Sequence, residues 1–111
     1  KELELGVIYL GSMENTIQEI DDLLEATGIK VSQCRIRALP AHSDIKKFIE
    51  KHDRTVILEI NRDGQLYGIL RKDLPVELVE KMYSVAYSDG MPPRAKIYAD
   101  MITEILQEGS K

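Results

Sequence analysis

Thr55-Val56-Ile57-Leu58-Glu59-Ile60-Asn61-Arg62-Asp63-Gly64-Gln65-Leu66 is the stretch that decides the fold. Its first half, Thr55 to Ile60, is short, continuous and rich in β-branched residues, the pattern of a strand buried on both faces. Asn61 to Gly64 has the composition of a tight loop. Leu66, Ile69, Leu70 and Leu74 then recur at helical spacing. Strand, tight loop and helix therefore follow one another within twenty residues, Thr55 to Leu74. Gly68 weakens that helix by about 1 kcal/mol relative to alanine unless something packs against it.

The same alternation extends in both directions. Toward the N-terminus, Leu5-Gly6-Val7-Ile8-Tyr9-Leu10 is another continuous apolar strand, ended by Gly11-Ser12. Asn15 is a candidate helix cap, with Glu14 favouring the positive end of the helix. Ile17, Ile20 and Leu24 carry the helical stripe, with Leu23 alongside, and Thr27-Gly28 forms the stop. Lys30 to Arg37 reads as a second strand. Val31, Cys34 and Ile36 mix there with polar residues, which places it nearer an edge. Pro40 breaks the chain, and Ser43 caps a helix bearing Ile45, Phe48 and Ile49. Toward the C-terminus, Pro75 opens a short helical segment, Val76 to Glu80. Met82 to Tyr87 is the fourth strand, and Ser88-Asp89-Gly90 is a turn. Pro92-Pro93 precedes a helix carrying Ile97, Met101, Ile102, Ile105 and Leu106. Alternating strands and helices with short connections specify parallel βαβ units in a three-layer α/β/α sandwich. The first and third strands, the most apolar, belong at the sheet's centre.

With 111 residues, 43% apolar and 31% charged, the chain reads as one domain spanning 1–111. A chain of this length buries roughly 65% of its unfolded surface, enough for a core. Its composition excludes disorder. No apolar run reaches the roughly 20 residues a membrane helix needs, and no charged-then-apolar leader opens the sequence. A formal net charge of −4 argues against nucleic acid as the partner. Cys34 is the single cysteine, which excludes an intramolecular disulfide and a four-cysteine cluster or zinc site. A reducing, cytoplasmic setting is the default. The chain starts at Lys1 without a methionine and enters a strand at once. It is therefore read as a piece of a longer polypeptide.

Open α/β sheets bind ligands beyond the carboxyl ends of their strands, where strand order reverses. If the first and third strands are neighbours, one crevice lies between Gly11-Ser12-Met13-Glu14-Asn15 and Asn61-Arg62-Asp63-Gly64-Gln65. Two helix N-termini with free N–H groups point there, and Arg62 adds a positive charge. An anion, a carboxylate or a partner's loop fits such a crevice. The plainer reading is that these residues only cap helices and close turns. Glu59 interrupts a buried strand, so it lies at the strand end or is paired, as a structural anchor or an interface contact. Asp21-Asp22 reads as a solvated helix face. His42 and His52 form no metal motif and read as surface or helix-end residues. Cys34 reads as a small buried hydrophobe. Arg35 and Arg37 share one face of their strand, a solvated edge more readily than a subunit contact. Neither GxGxxG nor GxxxxGK[ST] occurs, and no nucleophile–base pair is evident.

Glu59-Ile60-Asn61-Arg62-Asp63-Gly64-Gln65-Leu66, preceded by His52-Asp53-Arg54, resembles the C-terminal domain of the α chain of 2-oxoacid:ferredoxin oxidoreductases. There a strand ending in Glu-x-Asn runs into a loop and helix reading Gly-Gln-Leu. Gly11-Ser12 before a helix resembles the opening of that domain. Gly28-Ile29-Lys30-Val31, leading to Arg35-Ile36-Arg37-Ala38-Leu39-Pro40, resembles its second strand and exit. Tyr87-Ser88-Asp89-Gly90-Met91-Pro92 resembles its late turn. The matches run in order over nearly the whole chain. Ala41-His42 and Ile60 depart from the pattern, which expects an aromatic residue with a further proline and a polar residue there.

The resemblance implies a transketolase C-terminal domain-like fold with a mostly parallel sheet and one antiparallel edge strand. That strand would lie at the extreme N-terminus or be missing. The strand order implied is second, first, third, fourth. For the full complex, it implies decarboxylation of a 2-oxoacid to an acyl-coenzyme A with reduction of ferredoxin. The cofactors implied there are thiamine diphosphate, magnesium, an iron–sulfur cluster and coenzyme A. This domain would be inactive alone and would serve packing and assembly. Its partners would be the other domains of its chain, the thiamine-binding β subunit and, through the complex, ferredoxin. Gly11, Ser12, Glu59, Asn61, Arg62, Asp63, Gly64 and Gln65 are the crevice or interface candidates, with no catalytic or metal residue among them. The alternative is a stand-alone α/β module holding an anion or nucleotide in the crevice.

Overall fold

Continuous apolar runs need cover on both faces, and the chain supplies it with helices on either side of one sheet. The computed structural model describes residues 4–10, 13–36, 42–60, 63–88 and 94–109. In chain order they form β1 (Glu4–Leu10), α1 (Glu14–Glu25), β2 (Lys30–Ile36), α2 (His42–Glu50) and β3 (Arg54–Glu59). Then come α3 (Gln65–Asp73), α4 (Val76–Val79), β4 (Met82–Ala86) and α5 (Ala95–Gly109). The sheet order is β2-β1-β3-β4, with every pair parallel. Strand order therefore reverses between the two central strands, β1 and β3. The antiparallel edge strand implied by the resemblance is not among the described strands.

Register explains the layers. Ile8 of β1 stands beside Ile57 of β3, and Val7 beside Val56. Alternate residues point to opposite faces. Val7, Val56, Leu58 and Val85 pack with Ile17, Ile20 and Leu24 of α1 and Tyr98 and Ile102 of α5. Ile8 and Ile57 pack on the other face with Ile45 and Ile49 of α2, Leu66 and Leu70 of α3, and Leu78 of α4. The result is the expected three-layer sandwich. β2 is an edge strand with Lys30, Gln33 and Arg35 exposed, and Cys34 is half-buried against the second core. Arg37 lies outside the described residues.

Several local expectations are corrected. α1 begins at Glu14 after Met13, with no side-chain cap, so Asn15 sits inside the first turn. Met13 instead buries its side chain in the first core, and packing takes the place of a cap. α2 begins at His42, so Ser43 is helical and not the cap. β3 closes at Glu59, leaving Ile60 half-buried beyond it. Leu66 and Leu70 are buried in α3, but Ile69 is 44% exposed. Nine residues of α3 present only one face to the sheet, and Ile69 falls off it. The stop at Thr27-Gly28 forms as expected: Gly28 takes φ +87°, and the Ile29 N–H donates back to the Leu24 carbonyl at 3.1 Å.

Two charged or titratable residues expected at the surface are inside. Asp21 is 7% exposed, because α1 turns that position toward β2, where Gln33 Nε2 donates to its carboxylate. Asp22 is exposed as expected. His52, just past the end of α2, is buried over β1. Its Nδ1 lies 2.7 Å from the Phe48 carbonyl, and its ring packs on Phe48 with centroids 4.5 Å apart. Gly6 makes this approach available. A Cβ there would lie 2.8 Å from Phe48 Cε2 and 3.1 Å from His52 Cγ. At the same amino-terminal end of the sheet, Arg54 donates to the Leu106 carbonyl at 3.0 Å, placing a cation in the last turns of α5.

The same substitution at two glycines is expected to have opposite signs. Gly6→Ala forces Phe48 and His52 away from β1 and lowers stability by about 1–3 kcal/mol. At Gly68 a Cβ meets nothing within 4 Å, so Gly68→Ala raises stability by about 0.5–1 kcal/mol through helix propensity. Urea denaturation of both variants checks the pair; equal midpoints would contradict it.

Candidate functional site

Glu59 occupies the last position of β3 and is 2% exposed. A carboxylate there needs donors. The chain supplies them by turning through Asp63 and Gly64 into α3. The Leu66 N–H donates to Glu59 Oε1 at 2.6 Å, and the Tyr67 N–H donates to Oε2 at 3.1 Å. These are among the first amides of α3, which have no acceptor within the helix. The negative charge also sits at the positive end of the helix dipole. Glu59 thus caps α3 from a distance, a role its own N-cap residue, Gly64, has no side chain to fill.

Gly64 holds the turn. Its φ of +62° is the left-handed conformation that glycine adopts without strain. A Cβ there would also lie 2.9 Å from Ser84 Oγ and 3.8 Å from Glu59 Oε2. Both backbone conformation and space therefore select glycine.

The main-chain end of β3 is tied as firmly as its side chain. The Glu59 carbonyl accepts from the Tyr87 N–H at 3.2 Å. Tyr98 Oη, fully buried on α5, lies 3.0 Å from that same carbonyl and 3.2 Å from the Tyr87 carbonyl. The two tyrosine rings meet edge to face with centroids 6.5 Å apart. Three elements, β3, α3 and α5, converge on one residue.

Of the eight candidates read from sequence, Glu59 and Gly64 are brought together around the N-terminus of α3. Asp63 and Gln65 flank them with exposed side chains. Gly11, Ser12, Asn61 and Arg62 lie outside the described residues. The expectation of free donors at this helix is corrected: the Leu66 and Tyr67 amides are taken by the chain's own carboxylate. Tyr98, Tyr87 and Ser84 were not anticipated. Tyr98 stands 39 positions from Glu59, and nothing local in the sequence joins them. Among the described residues, no group of three or more His, Cys, Asp and Glu side chains is placed to hold a metal ion. None of their helices is long and apolar enough to cross a membrane.

No protein-family model and no curated protein matches the sequence. Solved structures do match. A 2-oxoglutarate:ferredoxin oxidoreductase from Magnetococcus marinus, with 2-oxoglutarate, coenzyme A and succinyl-CoA bound, aligns with a TM-score of 0.76 at 23% identity. The match covers 93% of this chain and 18% of that one. A split-gene transketolase, an inactive tetramer, aligns with a TM-score of 0.68 at 16% identity, over 96% of this chain and 39% of that one. The fold is that of a transketolase C-terminal-like domain. A diflavin flavoprotein A3 from Nostoc sp. aligns more loosely, with a TM-score of 0.53 at 14% identity, over 98% of this chain and 99% of that one. The chain thus spans less than a fifth of the oxidoreductase chain it matches, and identities this low carry the fold alone.

Glu59→Ala removes both acceptors from buried amides of α3 and is expected to lower stability by about 2–4 kcal/mol. Gly64→Val strains the left-handed turn and strikes Ser84, and a drop of at least about 2 kcal/mol is expected. Thermal melts of the two variants test both; an unchanged melting temperature in either would contradict the cap or the turn.

Proposed function

We propose that the chain is a non-catalytic C-terminal domain of a 2-oxoacid:ferredoxin oxidoreductase α chain, serving domain packing and subunit assembly. The observation that carries this reading is the internal occupation of the α3 N-terminus by Glu59. A nucleotide module needs donors for phosphate at the crevice between β1 and β3. At the α3 side this chain presents a carboxylate already satisfied by backbone amides. That arrangement stiffens a loop and repels an anion. The fold shared with the oxidoreductase and the transketolase, and the ordered sequence matches, support the same reading.

The full complex would oxidatively decarboxylate a 2-oxoacid to an acyl-coenzyme A and pass the electrons to ferredoxin. Thiamine diphosphate, magnesium, the iron–sulfur cluster and coenzyme A would be held by other domains and by the β subunit. The chain's single thiol, Cys34, falls short of the thiolate set a cluster takes. The cytoplasm is the compartment in keeping with such an assembly. Gly11, Ser12, Asn61 and Arg62 remain the sequence candidates for contact with the neighbouring domain.

A second reading has one observation in its favour. The loose match to the flavoprotein spans 99% of that chain, and strand order here also reverses between β1 and β3. On that reading the chain acts as a stand-alone small α/β module, and an anion or flavin nucleotide lies in the crevice.

One experiment separates them. The full-length parent chain is purified with its partners from the native source and assayed for 2-oxoacid- and coenzyme A-dependent reduction of a viologen dye. In parallel, the 111-residue chain is titrated with flavin mononucleotide by fluorescence. Viologen reduction by the assembly, with no flavin bound by the chain, is the expected result. Saturable flavin binding with no partner and no viologen reduction would overturn the first reading in favour of the second.

A further inference from the structure

Among the described side chains of α1, Asp21 is the one strongly buried acid, and its surroundings oppose its charge. Oδ2 accepts from Gln33 Nε2 of β2, while Oδ1 is buried with no hydrogen-bond partner among the described residues. On its own helix, Glu25 one turn on and Asp22 next to it are both acidic. β2 faces it with the neutral Gln33. α5, the other helix packed on α1, sets no charged side chain against it among the described residues. Lys96, the base nearest the start of α5, is engaged with Asp100 at 3.2 Å. The sequence holds no lysine or arginine between Lys1 and Lys30. α1 also lacks a base in its last turn, where a cation would suit the helix dipole. Arg35 shares Gln33's face of β2, but among the described residues no cation enters the charge balance at Asp21.

We propose that Asp21 is a protonation latch between α1 and the edge strand β2: the contact is firmest with the carboxyl neutral, because ionisation leaves Oδ1 as a charged oxygen buried without a donor. The bond from Gln33 favours the ionised carboxylate, but the neutral acid relieves the repulsion from Glu25 and Asp22 and the cost of the unpaired oxygen. The ionised form leaves a charged oxygen buried without a donor. Burial, with the neighbouring acids Glu25 and Asp22, holds the Asp21 carboxyl above its ordinary value of 3.8 against the opposing bond from Gln33. The sign follows by linkage. Between 3.8 and the raised value, the folded chain binds more protons than the unfolded chain. Stability from this group is thus full below 3.8 and is lost as pH rises through the raised value. A carboxylate held below its ordinary value would show the opposite slope. The latch acts on β2, the strand that carries the sheet's outer edge, and it is independent of the function proposed above.

The test compares the 111-residue chain with Asp21→Asn, in which a neutral amide oxygen still accepts from Gln33. Melting temperatures are measured from pH 3.5 to 8. Below the window the two chains are expected to melt together. Above it the asparagine variant is expected to melt about 2–6 °C higher. A difference that stays constant across the range would overturn the proposal. The second measurement needs no variant: the carboxyl carbon resonance of Asp21 is followed by NMR through the same titration. A midpoint at or below 3.8 would overturn the latch even if the asparagine variant failed to fold.

Discussion

The hydrogen bonds from the Leu66 and Tyr67 amides to the Glu59 carboxylate fix the geometry on which the rest of this domain depends. They join the end of β3, one of the two central strands, to the start of the helix that covers it, past the left-handed Gly64. That turn aims Leu66 and Leu70 at Ile57 and Ile8 in the second core. The same residue's carbonyl receives the Tyr87 N–H and the Tyr98 hydroxyl, which bring in β4 and α5 on the opposite face. A carboxylate buried this deeply would be destabilising without its donors. Supplied with the orphan amides of a helix, it becomes a two-sided clamp between the cores.

Elsewhere the packing is secured at the opposite ends of the strands. Gly6 lets Phe48 and His52 lie directly on β1, and Arg54 reaches from the start of β3 to the Leu106 carbonyl. The sheet is thus pinned at its carboxyl end by Glu59 and Tyr98, and at its amino end by His52 and Arg54. Thr55, between these regions, buries its hydroxyl with no partner among the described residues. A valine has nearly the same shape, so the hydroxyl itself adds nothing to the packing that the structure shows.

Periodicity carried the layers, because burial on two faces and on one face leave different marks in a sequence. Thr55 to Ile60 and Leu5 to Leu10 read as central strands for that reason, and β3 and β1 are central. Lys30 to Ile36 mixes polar with apolar residues and is an edge. Local pattern failed where the deciding partner is distant. Asp21 looks like half of a solvated acidic pair until β2 brings Gln33 beneath it, 12 positions on. His52 looks like a helix-end residue until Gly6, far earlier in the chain, opens a place for its ring. Capping failed in a related way. Asn15 and Ser43 have the right side chains, but the helices start elsewhere, and the one cap the site depends on comes from Glu59, outside its helix. The oddity of an acid in an apolar strand was legible; the identity of its donors was legible only through the Asp63-Gly64 turn that follows.

A doubly wound fold offers the same crevice to many chemistries, so the layers alone do not assign one. What distinguishes this chain is the state of that crevice on the α3 side. Helix amides that would receive a phosphate are held at 2.6 and 3.1 Å by a carboxylate of the chain itself. Replacing a mobile ligand anion with a tethered one removes the entropy loss of binding and satisfies the helix end from within. A helix end satisfied in this way keeps fewer amides to offer an external phosphate. The same substitution of an internal group for an external one reads the other way at Asp21. There the chain holds a carboxylate and withholds the cation that would settle it, so the charge stays responsive to pH. One buried acid is thereby structural and the other conditional, and the difference lies in whether a helix end or only a single amide side chain faces it.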